Sequence, residues 1–276
     1  MIIFPNSKIN LGLRILQKRS DGYHELETIF YPLPLTDILE IIPFKKTPHA
    51  PSTRLTKSGI SIAGANNNNL CVKAYRLLKK DFPHLSPVQM HLHKTVPAGA
   101  GLGGGSADSA FTLKLLNEKF GLMLSIEQLL SYAEQLGSDC PFFIINKPCY
   151  ATGRGELLER IDLDLSGFKI LVVNPGIHMD TGRAFLNVKP SPRGKPLKEI
   201  INDPIERWKD SLYNDFEKLV FKDFPQIVDI KDQLYVAGAL YASMSGSGST
   251  IYGIFPKQVK LELSFPSGYF VKELAG

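Results

Sequence analysis

The sequence predicts an α+β protein with two domains. Three strand-like segments come first, followed by a helix, a further strand, a glycine-rich loop and two helices, and the second half again mixes strands with helices. Such grouping of strands and helices is typical of α+β layers. With 276 residues, 43% of them hydrophobic, the chain is long enough to build a real core in one large or two modest domains. A glycine-containing bend at residues 150–155 places the boundary near residue 150, giving domains at 1–150 and 151–276.

The first strand is predicted by alternation of apolar and polar residues. Apolar side chains occupy every second position between residues 8 and 16, which is the spacing of a β-strand. Lys8 and Asn10 therefore share one face. A further strand is expected over 37–43, and the polar segment from 45 to 69 is expected to hold loops and a hairpin.

A tight turn is predicted after the first strand. The Asp21-Gly22 pair is typical of such connections and leads into a strand over 26–31, with Tyr23 and His24 at its entrance. Taken alone, a strand lysine such as Lys8 or a histidine such as His24 is more often structural than functional. Their roles depend on which residues they meet.

A helix and a strand precede the glycine loop. Asn69, the last of four asparagines, stands where a helix N-cap is expected, before apolar residues at helical spacing. The alternating segment 88–94 reads as a strand that ends at Lys94 and delivers the chain into the loop.

The loop at residues 96–106, which leads into a helix, is the chemically most informative stretch. Its five glycines permit positive φ angles and expose backbone N–H groups to a ligand. The first N–H groups of a helix have no intrahelical partner, and the helix dipole is positive at that end. The sequence therefore predicts an anion site, with phosphate as the natural ligand.

Two well-known glycine motifs do not explain this loop. Gly99 to Gly104 formally fits G-x-G-x-x-G, but a dinucleotide fold needs a second parallel strand after the helix, and here a second helix follows. A Walker loop ends in Gly-Lys-Ser/Thr, whereas this loop ends in Gly104-Gly105-Ser106. A flexible linker is disfavoured because the loop lies between an amphipathic strand and an Ala/Leu-rich helix.

Two helices are expected after the loop. The first ends near Gly121, and Asp108 in its first turn is a favourable partner for the helix dipole. Ser125 and Gln128 form a capping-box pattern that starts the second helix. Asp139 follows that helix, and we expect it between a polar turn and a buried strand at residues 141–145, where the carboxylate is partly desolvated.

The second half carries further strands and another glycine cluster. A strand is expected over 169–174, and two helices are expected around 198–209 and 215–220, with Trp208 in the core. The small-residue segment Ser245-Gly-Ser-Gly-Ser-Thr250 leads into a strand over 251–255 and again leaves backbone open to a ligand.

The composition excludes several classes of protein. The formal charge is 32 − 27 = +5 without a polybasic run, which is too mild to indicate nucleic acid or membrane binding. Three cysteines without Cys-x-x-Cys or Cys/His spacing indicate reduced thiols rather than disulfides or zinc. With neither a signal-peptide pattern nor an apolar run of membrane-spanning length, the sequence predicts a cytoplasmic protein.

Three motifs together resemble the GHMP kinase superfamily. They are Pro5-x-x-Lys8-x-Asn10-Leu-x-Leu with Asp21-Gly-Tyr-His24, Pro97-x-Gly-Ala-Gly-Leu-Gly-Gly-Gly-Ser106, and Ser245-Gly-Ser-Gly-Ser-Thr250. Each motif is weak alone, but their order matches along essentially the whole chain. The resemblance implies an N-terminal ATP-binding domain of ribosomal-S5-like topology and a C-terminal, substrate-binding domain of ferredoxin-like topology, with catalysis in the cleft between them.

The resemblance also implies a reaction. The Asp21-Gly22-Tyr23-His24 segment and the Gly-Leu-Gly-Gly-Gly-Ser form of the loop are similar to those of the branch that phosphorylates 4-diphosphocytidyl-2-C-methyl-D-erythritol at its 2-hydroxyl. ATP is the phosphoryl donor, Mg²⁺ accompanies it, and the acceptor is a small molecule rather than a nucleic acid or membrane. A monomer or weak homodimer is expected.

Individual residues receive roles by the same resemblance. Lys8 and Asp139 match the catalytic pair, and Asn69 and Lys94 match positions near the nucleoside. The residues expected to bind the ATP phosphates are Pro97, Gly99, Gly101, Gly103, Gly104, Gly105 and Ser106. The residues expected to line the acceptor pocket are Asn10, Tyr23, His24, Thr181 and Phe185.

Within that pocket, Tyr23 and Phe185 are expected to stack on cytosine, and His24 to hydrogen-bond it. The sequence departs from the family pattern at Ala107, which replaces a common serine, and at Gly182-Arg183. Two other functions stay open at this point. One is another GHMP kinase, such as a homoserine, mevalonate or galactose kinase, and the other is a nucleotide- or RNA-binding module, since the implied fold also occurs in ribosomal proteins.

Overall fold

A computed structural model describes residues 1–45, 51–61, 65–179, 181–190 and 194–276, apart from the side chains of Thr181 and Arg183. The strands are β1 Ile2–Ile3, β2 Asn6–Lys18, β3 His24–Thr36, β4 Ile38–Pro43, β5 Thr53–Gly59, β6 Val88–Lys94, β7 Cys149–Thr152, β8 Leu157–Arg160, β9 Phe168–Asn174, β10 Tyr241–Met244, β11 Ile251–Pro256 and β12 Phe270–Ala275. The helices are α1 Leu70–Asp81, α2 Gly104–Phe120, α3 Ile126–Glu134, α4 Cys140–Ile145, α5 Thr181–Asn187, α6 Leu197–Ile200, α7 Ile205–Trp208, α8 Glu217–Asp223 and α9 Pro225–Val236.

The chain forms two compact units. Unit 1 comprises Met1–Ser7, Leu35–Ala98 and Gly103–Asn146, and unit 2 comprises Lys8–Pro34, Gly99–Leu102 and Lys147–Gly276. The domain boundary that the sequence predicts near residue 150 stays a prediction, because a contact unit gathers residues by proximity and not by chain order.

Unit 1 packs helices on one face of a four-stranded sheet. The strand order is β1-β4-β6-β5, with β6 antiparallel to β4 and parallel to β5. Along β6 the alternate residues Val88, Met90, Leu92 and Lys94 are buried, so the strand points its apolar side chains into the core and carries one lysine with them. Helix α1 packs against α2, and α2 packs against α4.

Unit 2 contains two sheets. One has the order β2-β3-β7-β8, and the other has the order β10-β11-β9-β12 with every neighbouring pair antiparallel. Helix α9 packs on β10 and β11, and its apolar residues join a core that includes Phe216 and Phe255. Trp208 is buried in this unit, as the sequence predicts, and packs edge-on against Tyr241.

Most of the predicted elements are confirmed, and three are wrong. The segment 141–145 is helix α4 and not a strand. Because α4 is a short run that is buried on all sides, its hydrophobicity carries no period that would distinguish a helix from a strand. The helix expected over 198–209 is divided into α6 and α7 by Pro204, which lacks the N–H that a continuous helix needs.

The third difference lies before α1. The described part of segment 45–69 holds the strand β5, which pairs in parallel with β6 instead of forming a hairpin. Residues 46–50 and 62–64 of that segment lie outside the described residues. The sequence did not predict the helices α5 and α9 or the strands β1, β7, β8, β10 and β12. Among the residues that the structure describes, no helix is long and apolar enough to cross a membrane.

Candidate active site

The glycine loop ends at the start of α2, as the sequence predicts. Gly103 occupies the N-cap position with a left-handed backbone (φ 69°, ψ 12°), and no side chain caps the helix there. The first intrahelical bond runs from the N–H of Ala107 to the carbonyl of Gly103 at 2.9 Å. The N–H groups of Gly104, Gly105 and Ser106 precede that bond, and Gly105 is exposed. This end of α2 therefore offers backbone donors to an anion.

Glycine is required in the loop for two separate reasons. Gly99, Gly101 and Gly103 have φ angles of +63°, +79° and +69°, a region that other L-residues rarely adopt. At Gly101, a Cβ atom would lie 1.9 Å from the carbonyl oxygen of Ser245, so a side chain has no room there. The backbone conformation and the close packing both select glycine.

The serine-glycine cluster supports the same loop within unit 2. The hydroxyl of Ser245 donates to the carbonyl of Gly101 at 2.7 Å and accepts from the N–H of Asn10 at 3.2 Å. The N–H of Thr250 donates to the carbonyl of Ala100 at 3.3 Å. These bonds occupy the loop carbonyls. The cluster between β10 and β11 therefore fixes the position of Gly99–Leu102 through hydrogen bonds to its carbonyl groups.

Lys8 lies beside this part of the loop in a polar group at the start of β2. Its backbone N–H donates to the carbonyl of Leu102 at 3.0 Å, and its ammonium donates to Oδ1 of Asn10. The side-chain amide of Asn10 donates to the hydroxyl of Thr28 at 2.9 Å. The Lys8 ammonium also lies 4.9 Å from the centroid of the Phe30 ring, and Lys8 is 2% exposed. A buried cation is thus placed next to residues Gly99–Leu102 of the glycine loop.

Asp139 lies at the start of α4 in unit 1. It is half-buried, and its backbone is helical (φ −83°, ψ −14°). Its side chain does not cap α4, and Pro141 fills the first turn instead. The pairing of Asp139 with Lys8 stays a prediction, since the two residues belong to different units.

Asn69 and Lys94, the residues expected near the nucleoside, both make firm contacts in unit 1. The side chain of Asn69 accepts the N–H of Cys71 at 2.9 Å, which confirms its N-cap role on α1. The ammonium of Lys94 is buried and donates to Oδ2 of Asp37 and, at 2.8 Å, to Oδ2 of Asp108. A nucleoside contact by either residue stays a prediction.

The electrostatics of this cluster follow from burial. Burial raises the pKa of Asp108 to about 7, because desolvation and the charge of Asp37 together outweigh the attraction of Lys94. Burial also acts to lower the pKa of Lys94, but the two carboxylates outweigh it and the pKa lies above its ordinary value. The lysine therefore keeps its charge at neutral pH, and Asp108 holds its proton to a higher pH than an exposed aspartate does.

The aromatic residues expected in the acceptor pocket lie in unit 2. The rings of His24 and Phe185 stack with centroids 5.6 Å apart, and Phe185 meets Phe216 edge-on at 4.9 Å. Tyr23 is 56% exposed, with the guanidinium of Arg154 4.8 Å from its ring centroid. Thr181 begins α5, and its side chain lies outside the described residues. The binding of cytosine by these residues stays a prediction.

Three residues near the loop were not singled out as site residues by the sequence. Asp37 and Asp108 bind Lys94, and the imidazole of His178 abuts the loop, since its Nδ1 lies 3.0 Å from the position of a Cβ on Gly99. Asp108 had a visible signal, its place in the first turn of α2. His178 and Asp37 had none, because their partners are far away in the chain.

The three cysteines take no part in this chemistry. Cys71, Cys140 and Cys149 are free and buried, as the prediction of reduced thiols requires. Burial raises the pKa of Cys140 and of Cys149 to about 11, so these thiols stay protonated at neutral pH. Their environment makes them core residues rather than nucleophiles.

Two family models match the chain. They are described as the GHMP kinases N terminal domain, matching residues 69–147, and GHMP kinases C terminal, matching residues 197–264. A relative from Bacteroides fragilis named 4-diphosphocytidyl-2-C-methyl-D-erythritol kinase is 51% identical over 261 residues, covering 95% of this chain and 94% of its own. A relative of the same name from Bacteroides thetaiotaomicron is 52% identical and covers 92% of each chain.

A solved structure matches as well. The crystal structure of 4-(cytidine 5'-diphospho)-2C-methyl-D-erythritol kinase superposes with a TM-score of 0.80 at 27% sequence identity, and the match covers 100% of both chains. The α+β architecture in two domains that the sequence predicts is thereby confirmed.

A substitution at Gly101 tests the packing of the loop. We expect Gly101→Ala to lower the melting temperature far more than Gly176→Ala, since both glycines have similar positive φ angles (+79° and +74°) but only Gly101 lacks space for a Cβ. The conformational strain alone is about 1–2 kcal/mol in either variant. Equal losses in thermal denaturation would mean that the contact with Ser245 does not constrain the loop.

The raised pKa of Asp108 predicts a pH-dependent stability. An acid whose pKa is raised on folding stabilises the protein below its ordinary pKa of 3.8, and this contribution is lost as the pH rises to about 7. Relative to Asp108→Asn, the wild-type protein should therefore lose about 4 kcal/mol of unfolding free energy between pH 4 and pH 8, since a difference of 1 in pKa corresponds to about 1.4 kcal/mol. Urea denaturation across this range measures the difference, and Asp162→Asn, at an exposed position, serves as the control. Parallel curves for the wild type and Asp108→Asn would contradict the burial argument.

Proposed function

The chain belongs to the GHMP kinase family, and we propose that it transfers the γ-phosphoryl group of ATP to the 2-hydroxyl of 4-diphosphocytidyl-2-C-methyl-D-erythritol. The products are the 2-phosphate and ADP, in non-mevalonate isoprenoid precursor biosynthesis. The specificity is supported by the relatives at about half identity over nearly the whole chain, all of that name. The single structural observation that carries the proposal is the glycine loop opening onto the start of α2.

The phosphate chain of ATP is bound by the loop in this proposal. The N–H groups at the start of α2 and the helix dipole attract the β and γ phosphates, and they need no reorganisation when charge develops during transfer. The exposed Gly105 and half-buried Ser106 leave that end of α2 accessible to the anion. Pro97, half-buried at the entrance to the loop, fixes the direction in which the chain approaches.

The chemical step forms a bond between the 2-oxygen of the acceptor and the γ-phosphorus, while the bond from that phosphorus to the bridging oxygen breaks and ADP leaves. Asp139 orients the hydroxyl and accepts its proton. An ordinary carboxylate suffices, because the proton leaves late in a loose transition state. The buried ammonium of Lys8 stabilises the charge on the oxygens around the phosphorus.

The acceptor is held through its cytosine ring. Tyr23 and Phe185 supply aromatic faces, and stacking on one base contributes about 1–3 kcal/mol. His24 hydrogen-bonds the base, and Asn10 and Thr181 line the rest of the pocket. The exposure of Tyr23 supports this role, because a large aromatic ring that is half open to solvent has a face free for a ligand.

Mg²⁺ accompanies ATP in this proposal and neutralises phosphate charge. Within the described ranges, no group of three or more His, Cys, Asp or Glu residues could hold a metal ion. In the proposal Mg²⁺ arrives with the nucleotide, since this ion is usually bound through substrate phosphates and one or two protein ligands. We place the reaction in the cytoplasm, where ATP is plentiful.

Another GHMP kinase activity is the main alternative. Homoserine, mevalonate and galactose kinases share the phosphate loop, but their acceptors carry no cytosine, for which the segment from Tyr23 to His24 is proposed. A screen of acceptors with ATP separates these activities. Membership of a kinase family and the scattered basic residues weigh against an RNA-binding module.

Substitution of the catalytic pair tests the chemical step. We expect Asp139→Asn and Lys8→Ala each to lower kcat at least 100-fold, because general-base catalysis alone supplies about 10²- to 10⁴-fold. ADP release in a coupled assay with the diphosphocytidyl acceptor measures the rate, and circular dichroism checks folding. Asp162→Asn, which removes an exposed carboxylate, should leave kcat unchanged. A folded variant with near-wild-type turnover would remove that residue from the mechanism.

Alanine at the aromatic positions tests cytosine binding. Tyr23→Ala and Phe185→Ala should each raise the KM for the acceptor about 5- to 100-fold, as expected from the loss of one stacking contact. The KM for ATP should change less than twofold. Tyr213→Ala removes another exposed tyrosine and should alter neither constant. If both KM values rose equally in the Tyr23 or Phe185 variant, stacking on cytosine would be the wrong role.

A further inference from the structure

A buried charge cluster, defined as Lys94, Asp37 and Asp108, lies in unit 1 beside the two ends of the glycine loop, at Thr95 and Val96 and at Gly104. The three residues are 2%, 0% and 3% exposed, so all of their charges are withdrawn from water. Removing charges from water is costly unless they are paired and hydrogen-bonded. Among the residues described, Oδ1 of Asp108 is buried without a hydrogen-bond partner. The cluster is therefore costly to bury, and a buried ion pair is by itself weak evidence of a contribution to stability.

Asp37 fixes the chain where it enters the loop. Its Oδ1 accepts the N–H groups of Thr95 at 2.7 Å and Val96 at 3.0 Å, the two residues that follow β6. The hydroxyl of Thr95 donates to the carbonyl of Thr36, which adds a second tie between the same two segments. The entrance to the loop is thus bound to the segment before β4.

Asp108 fixes the chain where it leaves the loop. It lies near the start of α2, and its Oδ2 accepts from the Lys94 ammonium at 2.8 Å. That ammonium also lies 3.3 Å from the position of a Cβ on Gly104, the first residue of α2. The Lys94 ammonium therefore bridges two carboxylates. One is Asp37, which holds the entrance to the loop, and the other is Asp108, on the helix at the exit from the loop.

We propose that Lys94, Asp37 and Asp108 are positioning residues that fix the distance between the two ends of the phosphate loop, and that ATP affinity depends on them. The inference rests on the proposed function only in taking ATP as the ligand. It assigns Lys94 a role through the backbone donors of α2, in place of the direct nucleoside contact that the family resemblance implies.

The direction in which ATP affinity changes when Asp108 is substituted distinguishes a positioning role from a purely electrostatic effect. Removing the Asp108 carboxylate deletes a negative charge close to a site for a polyanion, which by Coulomb's law strengthens ATP binding. If Lys94 contacted the nucleotide directly, releasing its ammonium from Asp108 would strengthen binding further. Loss of the bridge has the opposite effect, because donors displaced from their productive geometry bind the phosphates less well.

The test measures ATP binding without turnover, by isothermal titration calorimetry on the full-length protein in the absence of the acceptor. Asp108→Ala should weaken ATP binding about tenfold or more. Asp108→Asn keeps an oxygen that accepts from Lys94, so it should weaken ATP binding only about two- to threefold. In the coupled assay, the KM for the diphosphocytidyl acceptor should change less than twofold in both variants.

Arg14→Met supplies a matched control for lost stability. It breaks another buried ion pair, Arg14 with Glu27 at 3.2 Å, which lies in unit 2. We expect a lower melting temperature with ATP affinity within twofold of the wild type.

Unchanged or tighter ATP binding by the Asp108 variants would overturn the inference, as would equal weakening by Arg14→Met. If Asp108→Ala does not fold, the direction of the change in Asp108→Asn decides. A wild-type protein that binds ATP but transfers no phosphate would contradict the proposed substrate and leave this test intact.

Discussion

The proposed phosphate site needs backbone N–H groups at the start of α2 that are open to an anion and fixed in position, and this constraint explains much of the surrounding structure. Positive φ angles at Gly99, Gly101 and Gly103 and close packing at Gly101 select glycine, and a glycine loop on its own is mobile. The rigidity therefore comes from neighbours. Ser245 and Thr250 bind the loop carbonyls in unit 2, and the Lys94 ion bridge lies behind the helix start in unit 1.

Burial gives the charged residues of this protein their distinct properties. Lys8 and Lys94 are both 2% exposed, but Lys8 is paired with the neutral amide of Asn10, whereas Lys94 is paired with two carboxylates. In the proposals above, Lys8 stabilises charge during transfer and Lys94 positions the ends of the loop.

Local signals in the sequence predicted local structure well. The strands β2 and β6, the Asn69 cap and the Ser125 capping box are all predicted from patterns among residues close together in the chain, and all are found in the structure. The prediction failed at α4, where a short run buried on every side carries no period, and at Pro204, where a proline divides one expected helix into two.

The sequence by itself determined the glycine loop at the start of a helix, the α+β fold class and, through its motifs, the family, because glycine spacing and hydrophobic period are properties of neighbouring residues. Only the tertiary structure decided how the loop is supported. The bond from Ser245 to Gly101 joins residues 144 positions apart, and the bond from Lys94 to Asp37 joins residues 57 apart. Such pairings depend on which strands and helices meet in the folded core, and that is set by the summed burial of apolar surface rather than by any local pattern.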